Sequence, residues 1–243
     1  MQLAGRVALV TGAGRRLGRA IARGLAARGA RLAIHYHATG GGAASLRDEI
    51  RAAGGDAECF AADLRDAAAA RELPGRVAAH FGALDVLVNS AAVMHRLRLE
   101  ETTPDAWNQI IDLNLRSLFF TAQGAAPHLR AARGRIVNIA DLAGLEPWPA
   151  YAAHSVSKAG VVMLTEVLAR ELAPEVTVNA VAPGAVLVPD DYGAADRDEL
   201  ARTTPLRRLG RPEDVVAAVL YLVEGGDYVT GQTLVVDGGR RIR

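Results

Sequence analysis

The residue types best suited to proton transfer in this chain are a lysine and a histidine four positions apart. Lys158 is the only lysine, although the sequence carries 28 basic side chains. A lysine ammonium is a compact charge whose pKa shifts on burial, so it can adjust a neighbouring acid. His154 would lie one helical turn before it on the same helix face. A lysine left by chance in an arginine-biased chain is the alternative, and other segments must decide between the two.

A glycine-rich segment near the start of the chain indicates a nucleotide site. The apolar run Val7–Val10 leads directly into Thr11–Gly18, and an amphipathic stretch follows. Glycines between a first strand and a first helix let the backbone approach a pyrophosphate, which the amides of the helix N-terminus then hold. The cofactor contacts expected from this turn are Gly12, Arg15, Arg16, Leu17 and Gly18. An ordinary glycine-rich turn is the alternative.

The charges around this turn favour NADP(H) over NAD(H). A ribose 2′-hydroxyl requires a carboxylate at the end of the second strand, whereas a 2′-phosphate requires cations. That strand ends in His35, Tyr36 and His37 without an acidic residue, while Arg15 and Arg16 stand in the turn. Arginine matches the geometry of a phosphate group. The sequence therefore predicts an NADP(H) site, with a polar strand end that binds nothing as the alternative for the two histidines.

Length and composition exclude several other classes of protein. The 243 residues suffice for one large α/β domain. The formal charge is +1, from 28 basic and 27 acidic side chains, so neither nucleic acid nor a membrane is an expected partner. Cys59 is the only cysteine, which excludes an internal disulfide and a cysteine-rich zinc site. Without a membrane-spanning apolar run or a signal-peptide pattern, we expect a cytoplasmic protein with no metal centre.

Short apolar runs alternate with longer amphipathic stretches along almost the whole chain. The predicted strands are Arg6–Val10, Arg31–Tyr36, Ala57–Ala61, Leu84–Val88, Arg135–Ile139, Val176–Val181 and Leu234–Val236. The predicted helices are Leu17–Arg28, Ala43–Ala53, Ala67–His80, Pro104–Leu129, His154–Leu172 and Pro212–Val223. This alternation predicts an α/β fold with a doubly wound parallel sheet of the Rossmann type, in a single domain over residues 1–243. The region from Pro183 to about Thr204 is predicted to be an irregular functional loop carrying Asp190 and Asp191.

The order and spacing of these segments resemble the short-chain dehydrogenase/reductase family over nearly the whole chain. The matching segments are Thr11–Gly18, Asp63, Asn89–Ala91, Asn114, Ile136–Ile139, Ser157-Lys158, Asn179, Pro183-Gly184 and Val236–Gly239. The resemblance implies an oxidoreductase that transfers a hydride between a nicotinamide cofactor and a small-molecule substrate. The further cofactor contacts expected are Asp63, Leu64, Asn89, Ser90, Ala91, Lys158, Pro183, Gly184 and Val186. It also implies a homotetramer formed by the helices Pro104–Leu129 and His154–Leu172.

The family's catalytic set consists of an Asn, a Ser, a Tyr and a Lys, and two of these four positions differ in this chain. Asn114 and Lys158 match the first and last members. Asp141 stands at the Ser position, and His154 replaces the Tyr. The resemblance therefore implies a catalytic role for these four residues, with altered proton chemistry.

Three features resemble the pteridine reductase branch of this family. Asp141 occupies the Ser position, Arg16 replaces the family's third glycine, and the second strand ends in the residues 35–37 named above. The branch implies a pterin, a dihydrofolate-like ring or a related carbonyl or imine as substrate. The residues implied near that substrate are Met94, Asp141, Trp148 and Tyr151. The branch carries an aromatic side chain where this chain has Met94, which is a departure from the pattern.

The histidine at the tyrosine position changes the expected chemistry. In the family the tyrosine donates a proton to the anion that develops during hydride transfer. The ammonium of Lys158 disfavours a protonated imidazole, so His154 beside that lysine alone would be mostly neutral and a weak donor. A carboxylate from Asp141 would favour imidazolium, which predicts an Asp141–His154–Lys158 proton relay with reduced or redirected activity. The alternative is an NADP(H)-binding protein with little turnover that serves as a sensor or assembly partner.

Overall fold

Seven parallel strands form one sheet in the computed structural model, which describes residues 1–188 and 192–242. The strands are β1 (Val7–Val10), β2 (Arg31–Tyr36), β3 (Ala57–Ala61), β4 (Val86–Asn89), β5 (Arg135–Ile139), β6 (Thr177–Pro183) and β7 (Thr233–Val236). Their order is β3-β2-β1-β4-β5-β6-β7, so the winding direction reverses between β1 and β4. The predicted fold class is confirmed, and the predicted strands differ from the observed ones only at their ends.

Helices cover both faces of this sheet. Those in the described ranges are α1 (Arg16–Ala26), α2 (Gly40–Ala52), α3 (Ala67–Phe81), α4 (Pro104–Ile111), α5 (Ser117–Ala132), α6 (Ala152–Leu172), α7 (Ala194–Thr203) and α8 (Pro212–Leu220). Helices α1, α2 and α8 contribute to one core cluster, and α3, α5 and α6 to a second. Along β1, Ala8 and Val10 join the first cluster while Val7 and Leu9 join the second, as expected for a strand buried on both faces. None of the described helices has the length and apolarity needed to cross a membrane.

The prediction of one continuous helix over Pro104–Leu129 is wrong. A π-helical turn, Asp112–Arg116, separates α4 from α5, and α5 continues to Ala132. The turn directs Asn114 into the protein interior, where its side-chain amide exchanges two hydrogen bonds with the backbone of Val93. Turns of this kind are frequent at functional sites. The hydrophobic pattern does not reveal it, because the residues on both sides of the turn keep helical spacing.

The prediction of an irregular region from Pro183 to about Thr204 is wrong for its second half, which contains α7. This helix buries none of its residues, so it lacks the apolar stripe by which a helix is recognised in a sequence. A carboxylate oxygen of Asp196 accepts from the amide of Gly193 at 2.9 Å and caps the first turn. Asp190 and Asp191, which the sequence places in this region, lie outside the described residues.

Candidate active site

The carboxyl ends of the central strands bring the predicted site residues to one edge of the sheet. The glycine turn follows β1, Asn89 ends β4, Asp141 follows β5 and Pro183 ends β6. The two central strands β1 and β4 are neighbours at the point where the winding reverses. In doubly wound folds, ligands bind in the crevice outside this point.

The turn after β1 is tight because two of its glycines have no room for a side chain. Gly12 adopts a φ of +66°, and a Cβ atom there would lie 2.9 Å from Cα of Ala91. A Cβ atom on Gly18 would lie 2.5 Å from the carbonyl oxygen of Gly12. The chain therefore folds back on itself closely enough for backbone amides to line the start of α1.

The N-terminus of α1 is open to an anion. Its N-cap residue, Arg15, offers no side-chain acceptor, and the first turn contains no acidic residue. By contrast, the side chains of Asp66 and Thr103 cap α3 and α4. First-turn amides without a side-chain cap and the helix dipole both favour a negatively charged ligand. The residues present therefore fit the pyrophosphate of a dinucleotide.

Replacement of Gly18 with alanine tests this packing. Since the new methyl group would meet backbone atoms, we expect the free energy of unfolding to fall by about 1–3 kcal/mol and dinucleotide affinity to weaken. The matched control is Gly75→Ala in α3, where a Cβ atom meets nothing within 4 Å. That control should gain up to about 1 kcal/mol through helix propensity. Chemical denaturation and cofactor fluorescence measure both variants, and equal behaviour would contradict the packing argument.

His35 lies beneath the glycine turn. Its Nδ1 accepts a hydrogen bond from the amide of Gly12 at 3.0 Å, and its Nε2 donates to the carbonyl of Ala62 at 3.1 Å. Burial lowers the pKa of this imidazole to about 4, so the ring is neutral near pH 7. The predicted contact between the His35 side chain and a cofactor phosphate is therefore corrected, because both nitrogens bind the protein and support the turn.

Arg15, in the glycine turn, and His37, which follows β2, are both exposed basic residues. The Arg15 guanidinium has no hydrogen-bond or ion-pair partner within residues 1–188 and 192–242. The ring of His37 is about half exposed, and its Nε2 lies 3.9 Å from the carboxylate of Asp63. Tyr36, between these segments, packs its ring near the backbone of Gly40 at the start of α2. These side chains can approach a phosphate without first breaking an arginine–carboxylate pair.

Arg16 reaches across the crevice to the segment that follows β6. Its guanidinium donates to the carbonyl oxygens of Leu187 and Val188 at 2.8 and 3.2 Å. Its backbone adopts a φ of 49°, a left-handed conformation that is uncommon for a residue with a side chain. Arg16 therefore connects the glycine turn to this segment, and its predicted contact with a phosphate stays a prediction.

Asp63 and Leu64 are both engaged within the protein. The carboxylate of Asp63 accepts a fork of hydrogen bonds from Arg65, the shortest at 2.6 Å, and this pairing lowers the pKa of Asp63 to about 2. The side chain of Leu64 is buried in the core cluster on the α3 side. A contact from this segment to an adenine ring would therefore use backbone atoms or require Arg65 to move.

The segment Asn89–Ala91 approaches the glycine turn through its backbone. The hydroxyl oxygen of Thr11 accepts from the amides of Ser90 and Ala91 at 2.9 and 3.0 Å. The side-chain amide of Asn89 donates to Asn138 on β5 at 2.9 Å, within the sheet. The Asn89 side chain therefore holds two strand ends in register, and the small residues after it border the crevice.

Lys158 projects from α6 into the protein interior. Its Nζ donates to the carbonyl of Ile139, at the end of β5, at 2.7 Å. Burial lowers the pKa of the Lys158 ammonium to about 8, and the carboxylate of Asp141 opposes part of that shift. Gly144 lets the turn after β5 lie against α6, because a Cβ atom there would be 2.6 Å from the Lys158 carbonyl carbon. The lysine is therefore held as a cation that loses its proton more readily than usual.

His154 lies beside Asn114, one helical turn before Lys158 and buried on the same inner face of α6. Its Nδ1 is 3.3 Å from the carbonyl oxygen of Val93 and 3.4 Å from the side-chain nitrogen of Asn114. Asn114 also donates to the Val93 carbonyl and to the hydroxyl of Ser157. The predicted juxtaposition of His154 and Lys158 on one helix face is confirmed.

Asp141 completes this cluster from the end of β5. Its Oδ1 accepts from the amide of Ala143 at 2.8 Å and begins a short 3₁₀ turn, Leu142–Gly144. Its Oδ2 lies 3.7 Å from Nε2 of His154. The Asp141 side chain is 25% exposed, whereas that of His154 is 3% exposed. The structure therefore gathers the four predicted catalytic residues, and Asp141 is the most accessible of them.

The predicted substrate residues Met94, Trp148 and Tyr151 lie on two loops joined by hydrogen bonding. The amide of Leu97 donates to the carbonyl of Ala150 at 2.9 Å. The rings of Trp148 and Tyr151 pack edge to face with their centroids 6.0 Å apart. Met94 is exposed on the first loop. These three side chains therefore border one region, and their contact with a substrate stays a prediction.

The segment Pro183–Val186 is shaped by the neighbouring end of β7. A Cβ atom on Gly184 would lie 2.8 Å from Cα of Asp237, and the Gly184 amide donates to the carbonyl of Val236 at 2.9 Å. Val186 is partly buried against the core cluster on the α1 side. The predicted cofactor contacts of Pro183, Gly184 and Val186 therefore depend on backbone atoms at the rim of the crevice.

Thr11 and Ser157 are site residues that the sequence did not predict. Thr11 joins the glycine turn to the end of β4 through its hydroxyl oxygen. The Ser157 hydroxyl accepts from Asn114 at 3.1 Å and donates to the His154 carbonyl at 2.7 Å. Both residues stand in segments that match the family pattern, but a hydroxyl side chain in such a position gives no sign of its partner.

Comparisons with known proteins agree with this geometry. A family model described as enoyl-(acyl carrier protein) reductase, adh_short_C2, matches residues 12–241. The 3-oxoacyl-(acyl-carrier-protein) reductase FabG of Staphylococcus aureus is 37% identical over 237 residues, which cover 96% of each chain. A 3-oxoacyl-(acyl-carrier-protein) reductase of Synechocystis is 37% identical over 241 residues, 98% of this chain and 97% of its own. Both relatives are named for reduction of 3-oxoacyl groups, and the resemblance to the pteridine reductase branch stays a prediction.

Two solved structures are similar over the whole fold. A gluconate 5-dehydrogenase of Burkholderia cenocepacia, in complex with NADP and tartrate, has a TM-score of 0.93 at 34% identity and covers 100% of this chain and 97% of its own. A double mutant of a Serratia marcescens short-chain dehydrogenase/reductase has a TM-score of 0.92 at 36% identity, with 99% of each chain covered. The matched family model, the sequence relatives and these structures agree, and the chain therefore belongs to the short-chain dehydrogenase/reductase family of oxidoreductases.

Proposed function

We propose that this protein is an NADPH-dependent reductase that converts a carbonyl group into an alcohol, with 3-oxoacyl compounds as the leading substrate class. The observation that carries the proposal is the cluster of Asn114, Asp141, His154 and Lys158 at the sheet edge that also holds an uncapped helix N-terminus. Hydride transfer to a carbonyl requires a cofactor site and a proton source at one place. Relatives named 3-oxoacyl-(acyl-carrier-protein) reductase support the substrate class.

The crevice fits NADP(H) through separate groups of residues. The amides of the turn from Gly12 to Gly18 would hold the pyrophosphate, and Lys158 would hold the nicotinamide ribose. Arg15 and His37 would meet the 2′-phosphate, because neither is committed to a strong ion pair with another described residue and β2 ends without a carboxylate. When bound, the cofactor supplies a hydride to the substrate. A relative of known structure that contains NADP supports this choice of nucleotide.

The proton for the substrate comes from an Asp141–His154–Lys158 group in which each charge has a separate effect. The Lys158 ammonium, present below about pH 8, stabilises negative charge that develops nearby. The carboxylate of Asp141 lies 3.7 Å from Nε2 of His154, so these two side chains can hold a proton and pass it on. Two residues thus replace the single phenol that the family uses, and a lower or redirected activity follows from the weaker donor.

Pterin reduction, the substrate class predicted from the sequence, is the second candidate, and Asp141 is the observation that favours it. Its partly exposed carboxylate can accept hydrogen bonds from the amino and ring N–H groups of a pterin. Met94 argues for the leading candidate, since a methionine offers a flexible apolar surface instead of an aromatic ring on which a pterin would stack.

The test is a substrate panel with NADPH oxidation as the measurement. The panel contains an acetoacetyl thioester, a simple ketone, a quinone and a dihydropterin, and we expect the thioester to be reduced fastest. Fastest oxidation with the pterin would select the second candidate. Tight binding of NADPH with no oxidation in any arm would select the alternative of a cofactor-binding protein with little turnover.

We propose a homotetramer held by the outer faces of α5 and α6, as the family resemblance implies. Phe119 on α5 and Val156, Met163 and Val167 on α6 are large apolar side chains exposed on the single chain. The three positions on α6 recur at helical spacing, which forms a stripe suited to a second copy. Met163→Asp is expected to lower the sedimenting mass, while Glu166→Gln on the same helix leaves it unchanged. A parent protein that sediments as a monomer would contradict this proposal.

A further inference from the structure

One ring nitrogen of the buried histidine has no hydrogen-bond partner in the described part of the chain. Nε2 of His154 is inaccessible to solvent and unpaired there. Leaving such an atom unpaired costs about 1–3 kcal/mol, so a proton or partner is expected at this point in the working protein. The group that faces it is the carboxylate of Asp141, whose Oδ2 is 3.7 Å away.

The opposite ring nitrogen determines where the histidine carries its proton. Nδ1 contacts both the Val93 carbonyl and the side-chain nitrogen of Asn114. The amide of Asn114 has two hydrogens, and it uses them in shorter bonds to the Val93 carbonyl at 2.9 Å and the Ser157 hydroxyl at 3.1 Å. Nδ1 therefore acts as a donor to the Val93 carbonyl.

This arrangement leaves Nε2 as the atom that exchanges a proton with Asp141. With Asp141 ionised and no proton on Nε2, a bare lone pair would face the negative Oδ2, and the contact would be repulsive. The contact is attractive only when a proton lies between the two atoms, on either His154 or Asp141. The pair therefore holds one shared proton at the edge of the crevice.

We propose that Asp141 is the catalytic residue that hands this proton to the substrate, and that His154 is a positioning residue that stores and returns it. The inference rests on the proposed reductase function and assigns the roles within it. It follows from accessibility, since the Asp141 side chain is 25% exposed while Nε2 of His154 is sealed from solvent. A substrate in the crevice can reach the carboxyl end of the pair and not the imidazole end.

The proton and electron count of this step is balanced. The substrate's carbonyl carbon receives a hydride with its electron pair from NADPH, the π bond breaks toward oxygen, and that oxygen takes the proton from Oδ2 of Asp141. This is the pair's one shared proton, which reaches Oδ2 from Nε2 of His154, so donation leaves a carboxylate facing a ring that is protonated at Nδ1 alone. Solvent at the exposed edge of Asp141 restores the proton to the pair. The sum is a carbonyl, NADPH and H⁺ converted into an alcohol and NADP⁺.

The groups packed around the pair allow the proton to be held and released. Lys158, from α6, places a buried ammonium on the same helix face as the ring, and Asp141, from the end of β5, places a carboxylate oxygen 3.7 Å from Nε2. Asn114 and the Val93 carbonyl present neutral dipoles from the π turn and the loop after β4. With both proton and ammonium present, the three ionisable side chains carry a net charge of +1, and donation lowers it to zero.

The first test compares Asp141→Asn, His154→Gln and the double variant with the parent in NADPH oxidation. We expect Asp141→Asn to lower kcat by on the order of 10²–10⁴-fold, as for loss of a general acid. His154→Gln should lower kcat by about 10-fold. It should also shift the alkaline limb of the pH profile to lower pH, since Asp141 no longer receives a proton from His154. The double variant should have the same kcat as Asp141→Asn, because His154 acts on the substrate only through Asp141. NADPH affinity should stay within about twofold throughout.

The second test observes the histidine directly, without substrate or turnover. In ¹⁵N NMR spectra, the Nε2 signal of His154 should differ between the parent, where a proton lies between Nε2 and Oδ2 of Asp141, and Asp141→Asn, where only Nδ1 carries a proton. Identical spectra, or loss of turnover in His154→Gln with Asp141→Asn near the parent rate, would overturn the assignment. A parent that oxidises no NADPH would overturn the proposed function as well, whereas the other two outcomes overturn this inference alone.

Discussion

Replacing Lys158 with methionine is expected to lower NADPH-dependent turnover by a factor on the order of 10²–10⁴, the range found when a group that stabilises transition-state charge is removed. The side chain is buried at the end of β5, where its ammonium is held by the Ile139 carbonyl. Methionine fills a similar volume without the charge, so the fold should persist. NADPH affinity should also weaken, because the ammonium would bind the nicotinamide ribose.

The matched control for this variant is Arg170→Met, which removes a cation from the exposed part of the same helix. Its turnover should stay near the parent value, because Arg170 is three turns away from Lys158 and near the C-terminus of α6. Steady-state oxidation of NADPH measures both variants. Parent-like turnover in Lys158→Met would show that the cluster around His154 and Asp141 does not carry the chemistry.

The same substitution has an effect on stability that needs no substrate. The pKa of Lys158 falls from an ordinary value of 10.5 to about 8 because the ammonium is buried. Between these two pH values the unfolded chain binds more protons than the folded one, so stability rises with pH across this window. Relative to Lys158→Met, the parent should gain about 3 kcal/mol of unfolding free energy from pH 8 to 10.5. Parallel pH profiles for the two proteins would contradict the buried ammonium.

Removal of the Arg15 guanidinium is expected to weaken the preference for NADPH over NADH. Arg15→Ser should raise the dissociation constant for NADPH by about 10- to 100-fold, the value of a charge-assisted hydrogen bond to phosphate, and leave that for NADH unchanged. The reason is that Arg15 is exposed at the start of α1 and unpaired within the described ranges, so nothing else there competes for it. Fluorescence titration with each nucleotide provides the measurement.

The control for Arg15→Ser is Arg23→Ser, one of the exposed arginines further along α1. Arg23 pairs with Glu49, and it lies two turns beyond the region that would bind phosphate. Its loss should leave the affinities for NADPH and NADH unchanged. An equal loss of affinity for NADPH and NADH in Arg15→Ser would mean that Arg15 binds the pyrophosphate, which both nucleotides share. Unchanged affinity for both would mean that other groups select the 2′-phosphate.

Much of the fold could be predicted from the sequence because it depends on patterns that repeat. Apolar runs such as Arg31–Tyr36 and Arg135–Ile139 coincide with β2 and β5 since parallel strands are buried on both faces. The π turn around Asn114 was missed because it inserts into a helix without changing the hydrophobic spacing. Helix α7 was missed because it has no buried side.

The candidate site was predictable in its membership and less so in its hydrogen bonding. Spacing placed His154 and Lys158 on one helix face, and the structure agrees. His35 illustrates the limit, because its position at a strand end suggested a phosphate contact, whereas both nitrogens bind the backbone under the glycine turn. Which partner a side chain selects depends on how the strand ends pack, and that information is spread over distant segments of the chain.

The substrate class and the nucleotide preference stay proposals for a related reason. Met94, Trp148 and Tyr151 are held by loops whose contacts arise from backbone hydrogen bonds, such as that between Leu97 and Ala150, and not from a sequence pattern. Pockets formed by loops vary while the supporting sheet stays constant. Family membership therefore defines the reaction more sharply than it defines the molecule that is reduced.

Transfer of a labelled hydride tests the central claim most directly. The protein is incubated with an acetoacetyl thioester and with NADPH that carries deuterium at C4 of the nicotinamide. The two faces of the ring are labelled in separate experiments. One of the two labels is predicted to appear at the carbinol carbon of the product, as a one-dalton gain by mass spectrometry. Saturation with NADPH and the panel of carbonyl substrates without deuterium in any product would contradict the account.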